Sequence, residues 1–216
     1  MTDNKEKRVS RIREMKNDLI LDGALKVFAE KGFHDTRLED IAAEVGFSKA
    51  SLYNYYKDKE EIFLSLATRE YMIIHERLQN DPILKLDQTL SLTENIRRIL
   101  TLVFTTFGNH FAFVLTLNSF QFLSIFHESK FHNCSNTEND FMEVRCSVDE
   151  SFIELVKASQ EKGEISSTQS PEQLHDYFDA LIFATIRRWH QSGKMENIDE
   201  TINGIVDFIA QGFGVK

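Results

Sequence analysis

Apolar residues recur every three or four positions along most of this 216-residue chain, the mark of amphipathic helices rather than strands. The opening "MTDNKEKRVSRIREMK" is the exception: polar, rich in Lys and Arg and without an early apolar face, it reads as a flexible arm leading into a helix. Ile20, Ala24, Val27 and Phe28 then form a helical stripe, with Gly32 placed as its C-terminal cap. In "TRLEDIAAEVG", Thr36 and Glu39 have the spacing of a capping box, Leu38, Ile41, Ala42 and Val45 make the stripe, and Gly46 ends it. "SKASLYNYY" opens on Ser48 as an N-cap, and Asp58 caps the helix that follows, with Glu61 placed to reach back. Three short helices with tiny connections have the layout of a helix-turn-helix unit, whose second member enters the DNA major groove.

Beyond Ile62 the helices lengthen. The pattern predicts one from Lys59 to about Asn80, ended by Asp81-Pro82, then helices near 89–107, 110–126, 139–161, 171–191 and 199–213. "HESKFHNCSNTEN" is the long polar stretch of this half and reads as a loop. Only 2 Pro and 9 Gly interrupt the chain, so the expected fold is all-α: a helix-turn-helix domain over residues 1–58 and a larger helical domain over 59–216.

Composition adds little about fold but much about partners. Apolar (42%) and charged (27%) fractions are those of a soluble globular protein. No secretory leader is visible at the start, and Cys134 and Cys146 form no disulfide framework, so a reducing cytoplasm is expected. The net charge is -9, yet residues 1–60 hold 12 Lys+Arg against 12 Asp+Glu, so the deficit lies entirely beyond them. The N-terminal quarter is therefore the plausible surface for a polyanion.

"SKASLYNYYKDKEE" (Ser48–Glu61) shows where that surface lies. Lys49 and Lys59 sit in the first turns of two helices and Lys57 just before the second, where the helix dipole disfavours cations unless an external anion arrives. Tyr53, Tyr55 and Tyr56 cannot share one face, because adjacent helical positions are about 100° apart. Tyr56 pairs with Leu52 one turn away in the core, which leaves Tyr53 and Tyr55 outward, where phenols donate to phosphates. Ala50, Ser51 and Asn54 share the outward face: small residues permit close approach, Ala touches a thymine methyl and Asn pairs with adenine.

Residues 20–62 resemble the DNA-binding domain of the TetR family of bacterial transcriptional regulators. The resemblance rests on Ile20, Ala24 and Phe28, then Gly32, Phe33, Thr36, Ile41-Ala42, Gly46, Ser48, Leu52-Tyr53, Tyr55 and Lys59, with Tyr56 where that family usually has Phe. It implies that Thr36, Ser48, Tyr53, Tyr55 and Lys59 anchor the DNA backbone, and that Lys49, Ala50, Ser51 and Asn54 lie at or near base edges. Arg37 and Lys57 complete this face, and the basic arm (Lys5, Lys7, Arg8, Arg11, Arg13) either tracks the DNA or solubilises the chain.

In the larger half, residues 101–126 carry no charge, but eleven of these 26 are Thr, Ser, Asn, Gln, His or Gly, which argues against a membrane span. Phe104, Phe107, Phe111, Phe122 and Phe126 recur at helical spacing with His110, Asn118 and Gln121 interleaved, the composition of an apolar cavity with a few polar groups. His127, His132 and Cys134 match no metal-site spacing, no cofactor motif is present, and no nucleophile–base pair points to an enzyme. The last two helices carry stripes at Phe178, Leu181, Ile182 and at Ile202, Ile205, Ile209, assigned to a homodimer interface in keeping with the family. The expected protein is a cytoplasmic, homodimeric repressor released from a palindromic operator by a small, mainly apolar molecule, with no membrane association. A DNA-bound architectural or protein-recruiting adaptor without a ligand is the rival reading.

Overall fold

The computed structural model describes residues 2–107, 113, 114, 116, 136–166 and 168–215. Their helices are α1 (Thr2–Asp35), α2 (Leu38–Glu44), α3 (Lys49–Leu52), α4 (Lys59–Asn80), α5 (Leu92–Phe107), α6 (Asn136–Glu161), α7 (Pro171–Ser192) and α8 (Ile198–Gly212). No strand occurs among the described residues beyond a lone bridge between Ile165 and Val215. The all-α expectation holds.

The N-terminal arm is a correction. Residues read as a flexible lead-in belong to α1, which runs unbroken from Thr2. The reason is local: residues 2–16 contain neither Pro nor Gly and are rich in Lys, Arg and Glu, all good helix formers. Ser10 ties down one turn by donating to Glu14 Oε1 at 3.0 Å. The regular helix breaks at Gly32, whose φ of 75° lies where glycine is favoured. The α2 cap is shifted by one residue from the expected Thr36–Glu39 pair. The Thr36 hydroxyl donates instead to the Gly32 carbonyl at 2.6 Å, and the Asp40 carboxylate accepts from the Arg37 amide at 2.9 Å.

Ile20, Ala24 and Phe28 on α1 are fully buried against Ile41 and Leu52 from α2 and α3. A Cβ on Gly23 would collide with the Val45 side chain, so a glycine lets α1 and α2 pack this closely.

Helix α4 belongs to both halves. Its first turns complete the helix-turn-helix core, and its length then packs against α5 and, most extensively, α6. Phe63 is the joint. Its ring lies 5.3 Å from Phe28, 5.0 Å from Phe33 and 5.1 Å from Phe113, so one side chain touches α1 and the larger half together. Arg69 adds a second tie by bonding Asp22 of α1 at 2.8 Å.

In the larger half α5 packs on α8, and α6 on α7. The α4–α5 turn is built round buried Asn95, whose amide donates to the Asp87 and Ser91 carbonyls and accepts from the Asp87 amide. Thr89 is spent on the same turn, bonding Asp87, so α5 starts at Leu92 rather than 89. Helix α6 starts at Asn136, inside the stretch read as a loop. The expected helix near 110–126 lies almost wholly outside the described residues. None of the described helices is long and apolar enough to cross a membrane.

Truncating the joint should be costly. Phe63→Ala removes a fully buried ring with three aromatic neighbours, and a loss of about 3–5 kcal/mol of unfolding free energy is expected in urea denaturation.

Candidate functional site

The recognition turn is built by Ser48. Its hydroxyl accepts from the Ser51 amide at 3.1 Å and pairs with the Ser51 hydroxyl at 2.8 Å, starting the single turn of α3. Leu52 and Tyr56 point inward, 0% and 5% exposed. The Tyr56 hydroxyl donates to Asn17 of α1 at 2.6 Å, and burial pushes its pKa up to about 12, so it stays a donor. Lys49, Ala50, Tyr53 and Asn54 face outward, with Ser51 and Tyr55 half-buried beside them. The Lys49 ammonium pairs with Glu39 and lies 5.7 Å from the centre of the Tyr53 ring. A shallow groove beside this turn is lined by Arg13, Lys16, Phe47, Ser51, Asn54 and Tyr55. Because the arm is helical, Arg13 and Lys16 flank the recognition turn. Lys16 was missed from the sequence, although it lies three residues beyond Arg13 and so on the same helix face.

Two expected backbone anchors are placed otherwise. Thr36 is 1% exposed and its hydroxyl is committed to Gly32, so its side chain fixes the turn into α2. Lys59 directs its ammonium at three carbonyls, those of Phe33 (2.8 Å), His34 (3.1 Å) and Thr36 (3.0 Å), over the Phe33 ring at 4.6 Å. All three ammonium protons are thereby used within the protein. Arg37 and Lys57 are exposed, and Lys57 sits 3.8 Å from the Asp58 carboxylate.

Residues 20–66 match the family model of bacterial regulatory proteins of the tetR family. The likeness to the tetR family is carried by this N-terminal unit. Over 46 residues it is 50% identical to the biofilm operon icaADBC HTH-type negative transcriptional regulator IcaR of Staphylococcus epidermidis, covering 21% of this chain and 25% of that one. Over 62 residues it is 36% identical to the fatty acid metabolism regulator protein of Bacillus subtilis, covering 29% and 32%. The chain thus spans between a quarter and a third of the length of these relatives. The fold extends further. The fatty acid degradation regulator FadR from Bacillus halodurans superposes with a TM-score of 0.72 over 93% of this chain and 97% of that one, at 16% identity. FadR from Bacillus subtilis, solved in complex with stearoyl-CoA, superposes with a TM-score of 0.65 over 90% and 97%, at 19% identity.

The larger half of the chain encloses a cavity of about 80 Å³ between α4, α5, α6 and α7. Its walls are apolar, with Tyr71, Ile74, Ile99, Val103, Phe152 and Phe178 among them, and one end is charged by Asp149, His175 and Asp179. Of the expected ligand residues, the described side chains include Phe104 alone. Phe104 is buried in the core with its ring 4.9 Å from Trp189 and does not line this cavity. Phe107 ends α5 in backbone only, and His110, Phe111, Asn118, Gln121, Phe122 and Phe126 lie outside the described residues, as do His127, His132 and Cys134. Phe178 and Ile182, assigned by sequence to the dimer face, line the cavity instead, and Phe178 stacks on Phe152 at 4.4 Å. Ile202 and Ile209 are buried inside the protomer, whereas Leu181, Ile205 and Phe208 line an open groove between α7 and α8.

The charged end has unusual electrostatics. His175 Nε2 lies 3.4 Å from Asp149 and 3.9 Å from Asp179. Burial alone would lower the His175 pKa, but the carboxylates of Asp149, Asp179 and Asp176 outweigh it and hold it above 6.5. Burial raises Asp179 to about 6, with the Asp149 and Asp176 charges adding to the rise and His175 and Arg145 opposing it. Both groups bind protons more tightly folded than unfolded, so both lose stabilisation as pH rises. Asp179 loses it between about 4 and 6, and His175 above about 6.5. The depressed carboxylates Glu39, Asp40, Asp81 and Asp87 act oppositely, but only below their ordinary values of 4.5 and 3.8. The melting temperature is therefore expected to fall from about pH 5 to about pH 7.5, and Asp179→Asn to flatten that slope in thermal melts.

Proposed function

We propose that this protein is a cytoplasmic, homodimeric transcriptional repressor that leaves its operator when a small molecule occupies the cavity between α4 and α7. The carrying observation is the outward face of α3. Lys49, Ala50, Tyr53 and Asn54 project beside Arg13 and Lys16, on a unit matching the tetR-family model. In this reading Asn54 and Ala50 read base edges, Tyr53 and Tyr55 donate to phosphates, and Arg13 and Lys16 follow the backbone. The regulator IcaR, named as negative, and FadR, solved with stearoyl-CoA, support repression and ligand response by likeness.

The open groove between α7 and α8 is the proposed dimer surface. Phe208 is 64% exposed there, and Ala184 and Gly204 let a second pair of helices approach. A two-fold pair of recognition turns calls for a palindromic operator. The effector acts through α4, which lines the cavity with Tyr71, Ile74 and Leu78 and carries Phe63 and Lys59 at its other end. A ligand that favours one setting of α4 shifts the spacing of the two recognition turns.

Two measurements check this reading. Asn54→Ala should relax preference at particular base pairs by about 1–3 kcal/mol in a binding-site selection, whereas Arg13→Ala with Lys16→Ala should lower affinity for every sequence and reduce the salt slope by about two. Phe208→Asp should sediment as a monomer while retaining its helical circular dichroism, because the side chain is exposed in the protomer and its charge would be buried in the dimer.

A further inference from the structure

The charged end of the cavity has a sign. Among the described residues, the charged groups of its lining are Asp149 from α6 with His175 and Asp179 from α7, one turn apart on the same helix. Arg145 stands behind Asp149 at 3.6 Å and is not part of the lining. Asp176 approaches His175 from its other nitrogen at 4.0 Å. From α4 come Tyr71, buried with its ring 5.6 Å from Phe141, and His75, turned to Ser147 at 3.4 Å. The α5 side chains Ile99 and Val103 carry no charge. When His175 is neutral, the described residues of the cavity wall present two carboxylates and no cation.

We propose that this end of the cavity selects a cationic effector, a small primary amine whose ammonium sits between Asp149 and Asp179 while its apolar body lies on Phe152, Phe178 and Ile182. The inference rests on reading the cavity as the effector site and goes further by naming the ligand's charge and size. Three features carry it. One oxygen of each carboxylate and one ring nitrogen of His175 lie within 4.8 Å of one another, so an ammonium seated in the cavity beside this cluster reaches both carboxylates with charge-assisted hydrogen bonds. An anionic head would bring like charge to two partly buried carboxylates, and a neutral head would leave them as they are. The stacked Phe152 and Phe178 rings offer an apolar wall next to the carboxylates, suited to the carbon skeleton of such an amine. The raised pKa of Asp179 agrees, since burial is its largest cause and an incoming cation would oppose that rise in the same sense as His175 and Arg145.

Size narrows the class. At roughly 10–15 Å³ per water-sized group, 80 Å³ admits on the order of five to eight non-hydrogen atoms. That fits a benzylamine-like or branched alkyl amine and is far short of a stearoyl chain. The arriving ammonium competes with protons on His175 and Asp179, so binding strengthens as pH rises through their titration.

The test is calorimetric titration of the full-length protein with three probes of one shape: benzylamine, benzyl alcohol and benzoate. At pH about 7.5 benzylamine should bind at least about tenfold more tightly than benzyl alcohol, with benzoate silent, and the amine advantage should shrink at pH about 5.5. Asp179→Asn and Asp149→Asn should each make amine and alcohol bind alike; using both guards against one variant misfolding. Equal binding of amine and alcohol to the wild type, or preference for benzoate, overturns the charge assignment and leaves the cavity standing as the effector site. Saturation by zinc or manganese alone, lost in both variants while the amine stays silent, overturns it in favour of a metal site. Silence of all three organic probes overturns the assignment together with the cavity as effector site.

Discussion

One ammonium group clamps the end of α1 to the start of α4. Helix α1 ends at a glycine kink that leaves carbonyls without helical partners, and Lys59 donates to those of Phe33, His34 and Thr36. A cation at a helix C-terminus is favoured by the helix dipole, and here it also satisfies three acceptors at once. The donor comes from the first turn of α4, so the bond ties the end of α1 to the start of the helix that enters the larger half. Phe33 lies beneath the ammonium and against Phe63, placing the polar clamp directly over the aromatic joint.

That arrangement gives α4 two jobs along one rod. Its first half is fixed against α1, through Phe63 on Phe28 and Phe33 and through Arg69 on Asp22. Its C-terminal turns wall the cavity. A helix clamped at one end and touching a ligand at the other moves as a unit, because packed cores are poorly compressible. In the proposed dimer, this is the physical route by which an effector in the cavity would alter the distance between recognition turns.

The sequence made the DNA-binding half legible because its signals are local. The caps at Ser48 and Asp58, the stop at Gly32 and the inward pair Leu52–Tyr56 are all set by residues within one or two turns. Lys59 is harder to read because the carbonyls it meets lie 23 to 26 residues away, and a lysine in a first turn looks the same whether it faces phosphate or carbonyl. The larger half was harder for the same reason. Stripe positions show that a helix has an apolar face, not which neighbour covers it, so the pattern alone assigns Phe178 and Ile182 to a dimer face whereas they wall the cavity. The i,i+4 pair His175–Asp179 was readable on one helix, but Asp149 joins it only through the packing of α6 on α7.

The clamp is tested most directly by Lys59→Met, which keeps the length of the side chain and removes its charge. Unfolding free energy and the salt dependence of operator affinity should be measured on the same variant. A clamp predicts a stability loss of about 1–3 kcal/mol with an unchanged salt slope, because no phosphate contact is lost. Full stability with a salt slope reduced by about one would show that Lys59 serves the DNA backbone and that α1 and α4 are held together by other means.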